Sequence, residues 1–307
     1  MPANDVLIVT GADRNFYGLL TDLFDSIRDT VKPAPPIAVL DFGLNEGQRT
    51  ALEARGHTVK TAEAHFDGRE HKTWAGNVRA LTVRPFIPQY FPGYDVYLWI
   101  DGDAWVQDAS AIDAYVSVAR EGRLAITPHI GRCYKSFNKW QRPRFNTLMF
   151  REYRKGWGWR IANQLGRFPI ANAGVFALKG DAPHWELWRR AMEGRPTPMW
   201  DQTALNYVIH HDRAPTGLLP DLYNWICIDA PPKVDEATGL LVEPEPPYRP
   251  ISILHLVGQA KTLKFRLETV QGGMIEETLR YSIWRKRREA AQSARGRTGE
   301  LTPSVGI

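Results

Sequence analysis

Asp101 and Asp103 stand two residues apart at the end of Val96–Ile100, a run of five apolar or aromatic residues within the stretch YDVYLWIDGDAWVQD. The run is short, has no helical period and is rich in β-branched and aromatic residues, so it predicts a buried strand. Two carboxylates at the mouth of an apolar strand are costly unless a cation lies between them. Aspartate oxygens are hard ligands, and the cation they suit is Mg²⁺ or Mn²⁺. A solvated turn would use the same two residues, and the pair alone does not choose between these readings.

His255 is the second group with chemistry to offer. It ends a late apolar run and opens the pattern H-x-x-G-x-x-K with Gly258 and Lys261. Alone, a histidine at a strand end is more often structural than a ligand. In this setting the glycine would let the backbone approach a phosphate, and the lysine would neutralise it. Two aspartates and one histidine make a three-ligand set with room for phosphate oxygens and water, and the imidazole tilts the preference from Mg²⁺ toward Mn²⁺.

These residues need a frame that brings them together. Residues 6–10 predict a first strand, followed by the loop Gly11, Ala12, Asp13, Arg14, Asn15 and a helix with Leu19, Leu20, Leu23, Phe24 and Ile27 at helical spacing. Residues 37–40 predict a second strand, Asn45 an N-cap for a helix through Ala54, and residues 57–61 a third strand. A helix carrying Val78, Leu81 and Ile87, interrupted at Pro85 and Pro88, leads into the strand that ends at Asp101. The rhythm is that of an α/β layered fold with a largely parallel sheet, whose ligands bind at the carboxyl ends of the strands. Further on, residues 108–118 predict a helix, 124–127 and 171–179 strands, 181–192 a Trp-rich helix, and Asp201-Gln202 the start of another. Residues 220–247 are turn-rich, 251–256 predict the last strand, and from Ile275 the chain is expected to return to helix, with Leu279 and Ile283 on one face.

Composition narrows the class. The chain has 307 residues, with 43% hydrophobic and 24% charged residues, which fits a globular protein with a substantial core. Eleven Trp residues raise the prospect of exposed aromatic surface for sugars or a membrane interface. Two cysteines, Cys133 and Cys227, favour a reducing compartment, and no apolar stretch approaches the length of a membrane span. The expected location is therefore cytoplasmic, with peripheral contact to the inner face of a membrane. That contact is suggested by residues 132–167, where ten Lys or Arg face a single acid, Glu152, amid many aromatics. Such a stretch is either an ordinary solvated insertion or a surface for an anion. Lys286 and Arg287 beside Ile283 and Trp284 suggest a second basic, amphipathic segment suited to anionic lipid.

Taken together, the residues resemble a metal-dependent nucleotide-sugar glycosyltransferase of GT-A fold, and most of all family eight, which includes glycogenin-like enzymes and bacterial lipopolysaccharide galactosyl- and glucosyltransferases. The likeness runs through about residues 5 to 265 in motif order, while residues 132–167 match no motif. The Gly11 to Tyr17 loop resembles the family's uridine-binding turn, which implies that Gly11, Ala12, Asp13 and Asn15 meet the donor. Arg84 stands where the family places a donor-binding arginine. Asp101 and Asp103 match D-x-D, with Asp101 also implied at the donor. Asn172, Ala173, Gly174 and Val175 match N-x-G-V, which lines the sugar pocket, and Asp201 and Gln202 with Leu205 and Asn206 match D-Q-x-x-L-N. His255, Gly258 and Lys261 match H-x-x-G-x-x-K.

The resemblance implies a GT-A domain over residues 1–270 with a mixed Rossmann-like sheet flanked by helices; composition adds a basic aromatic insertion at 131–168 and a basic C-terminal helix with a frayed tail at 271–307. It implies Mn²⁺ or Mg²⁺ on Asp101, Asp103 and His255, donor contacts from Asn172, Ala173, Gly174, Gly258 and Lys261, and catalytic roles for Asp201 and Gln202. The implied reaction moves a hexosyl unit from a UDP-sugar to a glycan or lipid-linked saccharide, with retention, and no nucleic acid is expected as partner. The sequence departs from the pattern in two places: Trp99-Ile100 precede the acids, with Gly102 between them, and Thr262-Leu263-Lys264 replaces the Pro-Trp that often follows the last lysine. The competing classes are a haloacid-dehalogenase-type phosphatase with Asp101 as nucleophile, and a non-catalytic nucleic-acid- or glycan-binding protein on the same fold.

Overall fold

A computed structural model describes residues 5–66, 78–134, 144–197 and 199–299, with side chains except those of residues 144–147 and 292–299. In chain order the first half contains β1 (Val6–Asp13), α1 (Tyr17–Thr30), β2 (Ile37–Gly43), α2 (Glu46–Ala54), β3 (Thr58–Thr61), α3 (Ile87–Tyr90), β4 (Val96–Ile100), β5 (Ala104–Val106), α4 (Ser110–Arg120) and β6 (Leu124–Pro128). The second half contains α5 (Arg144–Leu165), β7 (Ala171–Lys179), α6 (His184–Met192), α7 (Trp200–His210), β8 (Thr216–Leu218), β9 (Trp225–Ile226), β10 (Lys233–Asp235), β11 (Leu240–Val242), β12 (Ile253–His255), β13 (Lys264–Glu268), β14 (Met274–Thr278) and α8 (Tyr281–Gly299).

The main sheet has seven strands in the order β3-β2-β1-β4-β7-β6-β8. β1, β2, β3 and β4 run parallel, while β7 runs antiparallel to both β4 and β6. The sheet is thus mixed, and the reversal matters for the site. Because Ile100 pairs with Val175, the start of β7, and not its end, lies beside the carboxyl end of β4. β4 is buried along its whole length, as a central strand covered on both faces must be. A smaller sheet, β5-β12-β9, packs behind the acid pair, with His255 opposite Ala104.

Local chemistry explains the helix starts and faces. Asn45 caps α2 by accepting from Gln48 N at 2.9 Å, while Gln48 returns its side chain to Asn45 N at 3.1 Å. α1 buries Leu19, Leu20, Leu23, Phe24 and Ile27, the stripe expected from their spacing. The tryptophans serve mostly as core: Trp99, Trp105, Trp188, Trp200, Trp225 and Trp284 are all fully buried.

Two expectations change. The helix foreseen around Val78, Leu81 and Ile87 is a run of turns, a single 3-10 turn at Arg84–Phe86 and the one-turn α3, because Pro85 and Pro88 interrupt the ladder. Residues from Ile275 form β14 before any helix, paired with β13 in a hairpin that places Ile275 opposite Leu267. The hairpin, Leu279 and Trp284 join the core around β12, so this stretch is packed against the body of the protein. Residues 135–143 of the basic insertion and the tail at 300–307 lie outside the described residues.

Candidate active site

The acids emerge where β4 stops. Asp101 donates its amide to the Gly174 carbonyl at 2.7 Å, which fastens the acid loop to the incoming end of β7. Gly102 must be small because a Cβ there would lie 2.9 Å from the Gly11 carbonyl oxygen, so the acid loop and the β1 loop touch backbone to backbone. Gly174 is under a tighter restriction. A Cβ at 174 would fall 2.2 Å from His255 Cε1 and 2.8 Å from both Asn172 Oδ1 and Asp101 Oδ2.

Asp101 faces one partner from β4 and one from the 3-10 turn at Arg84–Phe86. Its Oδ1 accepts from Arg84 Nη2 at 2.5 Å and from Trp99 Nε1 at 2.7 Å, while the Arg84 guanidinium lies 4.9 Å from the Trp99 ring centre. Arg84 also donates to Asp201 Oδ2. Burial opposes the charge on Arg84, yet Asp101 and Asp201 outweigh it and hold the guanidinium more firmly protonated than usual. Burial raises the Asp201 carboxyl above its ordinary range, and Arg84 offsets only part of this. The other oxygen of Asp201 accepts from Gln202 N at 2.7 Å, so both its oxygens are engaged at the start of α7. Gln202 Oε1 accepts from Ala173 N at 3.1 Å, and Asn206 binds both the amide and the carbonyl of Ala171. These bonds tie α7 to the start of β7.

Asp103 belongs to the other side. Its oxygens lie 3.3 Å from His255 Nε2 and 2.9 Å from Lys261 Nζ. Burial by itself would raise the Asp103 carboxyl, but His255 and Lys261 outweigh it and hold the group well below the usual carboxylate range. His255 would lose its proton through burial; Asp103 and Asp101 instead raise it above its ordinary value. One ligand atom each from Asp101, Asp103 and His255 lies within 4.8 Å of the others. Two hard carboxylates and one imidazole fit Mn²⁺ or Mg²⁺, and Lys261 is the cation that balances Asp103.

A cavity of about 320 Å³ opens over these groups, lined by Gly11, Ala12, Asp13, Phe16, Phe42, Arg84, Trp99, Asp101, Asp103 and Lys261 among others. A larger groove of about 690 Å³, bounded by residues such as Phe24, Arg28, Pro36 and His57, contains none of the candidate site residues. Asp13 uses Oδ1 to accept from Asn15 N and Phe16 N, which shapes the β1 loop; Asn15 is exposed and outside the cavity lining. Asn172, Ala173, Gly174, Asp201, Gln202, His255 and Gly258 are likewise outside its lining. Asn172 sits beside Gly174, and Gly258 turns the chain between His255 and Lys261 with φ +62°. Sequence reasoning passed over Asn224, whose Oδ1 lies 2.9 Å from His255 Nδ1. It also passed over the role of Trp99, visible beforehand only as an unusual residue before the acids.

With this geometry in hand, likeness to solved structures identifies the architecture. An active-site glutamine-to-glutamate mutant of LgtC matches with TM-score 0.51 and 17% identity over 82% of this chain and 87% of that one. The galactosyltransferase LgtC in complex with donor and acceptor sugar analogues matches with TM-score 0.51 and 15% identity over 92% and 95%. The bifunctional glycosyltransferase WbbM matches with TM-score 0.54 and 15% identity over 94% of this chain, which spans about half (51%) of WbbM. No protein-family model and no curated protein sequence matches the chain. The chain has the GT-A glycosyltransferase fold of the LgtC type.

Proposed function

We propose that this protein is a metal-dependent glycosyltransferase that moves a hexosyl unit from a UDP-sugar to a glycan or lipid-linked saccharide, with retention of anomeric configuration. The observation that carries the reading is the convergence of Asp101, Asp103 and the buried His255, with Asp101, Asp103 and Lys261 lining a cavity in a GT-A fold. Asp101, Asp103 and His255 would hold Mn²⁺ or Mg²⁺, and the bound ion supplies Lewis-acid stabilisation of the departing diphosphate. Lys261 adds a fixed positive charge where negative charge grows. The β1 loop, through Gly11, Ala12, Asp13 and Asn15, takes the nucleoside end, and Asn172, Ala173, Gly174 and Gly258 close around the sugar and phosphates.

Asp201 has both oxygens engaged, so in this reading it acts by holding Arg84 and the start of α7. Gln202 is the side chain offered to the reacting face as the sugar passes through an oxocarbenium-like state. Support comes from LgtC, where a glutamine-to-glutamate change is described as an active-site mutation. The phosphatase reading needs Asp101 as a nucleophile, whereas its Oδ1 is committed to Arg84 and Trp99 and its Oδ2 points toward His255, where the cation would sit.

Thermal shift and turnover across UDP-sugars, with and without Mn²⁺, test the proposal. One donor is expected to bind in a metal-dependent manner, with Asp103→Asn abolishing the dependence. If no nucleotide sugar binds and Asp103→Asn changes nothing, the reading fails.

An anionic membrane surface is proposed as a further partner, through α5 and not α8. Trp284 on α8 is fully buried, with its Nε1 donating to the Thr278 carbonyl. α5 is broken at Gly158 (φ +82°); Arg151 and Arg154 are exposed before the break, Trp159, 62% exposed, and Arg160 follow it, and the single acid Glu152 is buried against α7. No helix among the described residues is long and apolar enough to cross a membrane. Co-sedimentation with anionic but not neutral vesicles, weakened by Trp159→Ala, is the expected result; equal binding to both lipids would remove this partner.

A further inference from the structure

A neutral imidazole can offer only one of its nitrogens to a cation, and at His255 three groups outside the acid pair decide which. The series begins at a backbone donor that cannot turn around. Gly174 N donates to Asn172 Oδ1 at 2.9 Å, which fixes that amide with its oxygen toward β7. Asn224 Nδ2 donates to the same oxygen at 3.0 Å. With its nitrogen committed, Asn224 must present Oδ1 to His255 Nδ1, 2.9 Å away. The reverse orientation would set two acceptor oxygens face to face across the Asn172 contact and leave the buried Asn224 oxygen without a donor there. Asn224 and His255 are both buried, so water does not offer an easy substitute.

An oxygen beside Nδ1 keeps a proton there, so the nitrogen that can give up its proton to a cation is Nε2. Nε2 points at Asp103 Oδ1, 3.3 Å away, and Asp101 Oδ2, 3.6 Å away, the two carboxylates that would share the ion with it. We propose that Asn224 is a positioning residue that sets the His255 tautomer, through a relay anchored on the Gly174 amide, and so prepares Nε2 as the nitrogen ligand of a divalent cation. The proposal rests on the metal reading of the site and assigns a task to a residue within the turn-rich stretch between α7 and β12. Metal-ligating histidines commonly donate their other ring N–H to an oxygen that fixes ring and tautomer. Here the oxygen belongs to a neutral amide whose own direction is set two bonds further back. The relay also gives a second reason for glycine at 174, since any side chain there would enter the space of both Asn172 and His255.

Two substitutions separate positioning from simple packing. Asn224→Asp keeps an oxygen against Nδ1 but loses the donor to Asn172 and buries a charge. Asn224→Leu keeps the volume and loses the acceptor. Titration with Mn²⁺ alone, followed by the electron paramagnetic resonance signal of free ion, is expected to show affinity about 10- to 100-fold weaker in Asn224→Leu and close to that of the unchanged protein in Asn224→Asp. A purely structural residue would give the opposite order, because the buried carboxylate is the more disruptive change.

The second measurement reads the ring itself. In protein loaded with Mg²⁺, which leaves the resonances sharp, ¹⁵N shifts of labelled histidine should show His255 protonated at Nδ1. Protonation at Nε2 in the loaded protein, or equal Mn²⁺ affinity in all three proteins, would overturn the proposal. Should the unchanged protein bind neither ion, the metal reading falls with it, and the Nδ1 proton resonance, expected in the unchanged protein and displaced in Asn224→Leu, still decides whether Asn224 holds that nitrogen.

Discussion

Asp101 and Asp103 are separated by a single glycine but belong to different walls of the site. Asp101 is held by the main sheet and its covering elements, through Arg84, Trp99 and the amide bond to Gly174. Asp103 is held by the end of the small sheet, through His255 and Lys261. The first wall is a closed ion network, since Arg84 is shared with the buried Asp201 and that acid in turn starts α7. The second wall is built from groups able to change partners: an imidazole with one nitrogen facing the acids, and a lysine on a flexible stem. The comparison teaches a division of labour. One wall fixes the geometry, and the other supplies the chemistry.

The strongest way to break this contrast is Arg84→Met. It leaves two acids on the fixed wall without their cation, in a place where Asp201 is buried, and removing one partner of a buried ion pair costs about 3–5 kcal/mol. Chemical denaturation should show that loss, with a smaller one for Lys261→Met because Lys261 is only partly buried. Equal losses would erase the distinction between the walls. A milder probe is Trp99→Phe, which keeps the ring but removes the donor to Asp101, and hydrogen bonds to a charged group contribute about 1.5–3 kcal/mol. The expected outcome is a loss of stability within that range; an unchanged denaturation midpoint would mean that Asp101 is held by Arg84 alone.

The smallest effect is silent at neutral pH. In chelator-treated protein Asp103 titrates below its ordinary value, so the stability it contributes is complete above that value and is lost as pH falls toward the folded one. Asp201 has the opposite sign: its folded value is raised, so acid relieves a burden in place of imposing one. Stability measured downward from about pH 4, the ordinary carboxylate value, should fall less steeply in Asp103→Asn, whereas Asp201→Asn should not flatten the curve. Flattening by both would show that the walls share one titration.

How far the sequence could be read follows from the same contrast. β1, β2, β4 and β7 are apolar runs bounded by turns, and they were visible because central strands have few other ways to be written. Asp101, Asp103, His255 and Lys261 were visible as ligand types at strand ends. Trp99 was seen only as a departure from pattern, since its bond to Asp101 and its place under Arg84 exist only after tertiary packing. Asn224 carried no signal at all: its partners lie 52 and 31 residues away, and asparagine in a turn-rich stretch is ordinary. Residues 274–278 failed for another reason. Ile275, Leu279 and Ile283 do have helical spacing, but the turn at Gly272, with φ +91°, delivers Ile275 to Leu267 across a hairpin. Pairing overrode the local pattern.

Lys261 now stands 2.9 Å from Asp103 and over the ring of Phe16, with 4.9 Å to its centre. A phosphate entering the cavity would compete with that carboxylate for the charge of Lys261. In the proposed reading, an anionic donor with its cation therefore enters by exchange: Asp103 passes from the lysine to the cation, and the lysine passes from Asp103 to the anion. The sum of charges within the cavity is nearly the same before and after. Binding of this kind leaves few counterions to release, so a pocket lined with full charges would have an affinity only weakly dependent on salt.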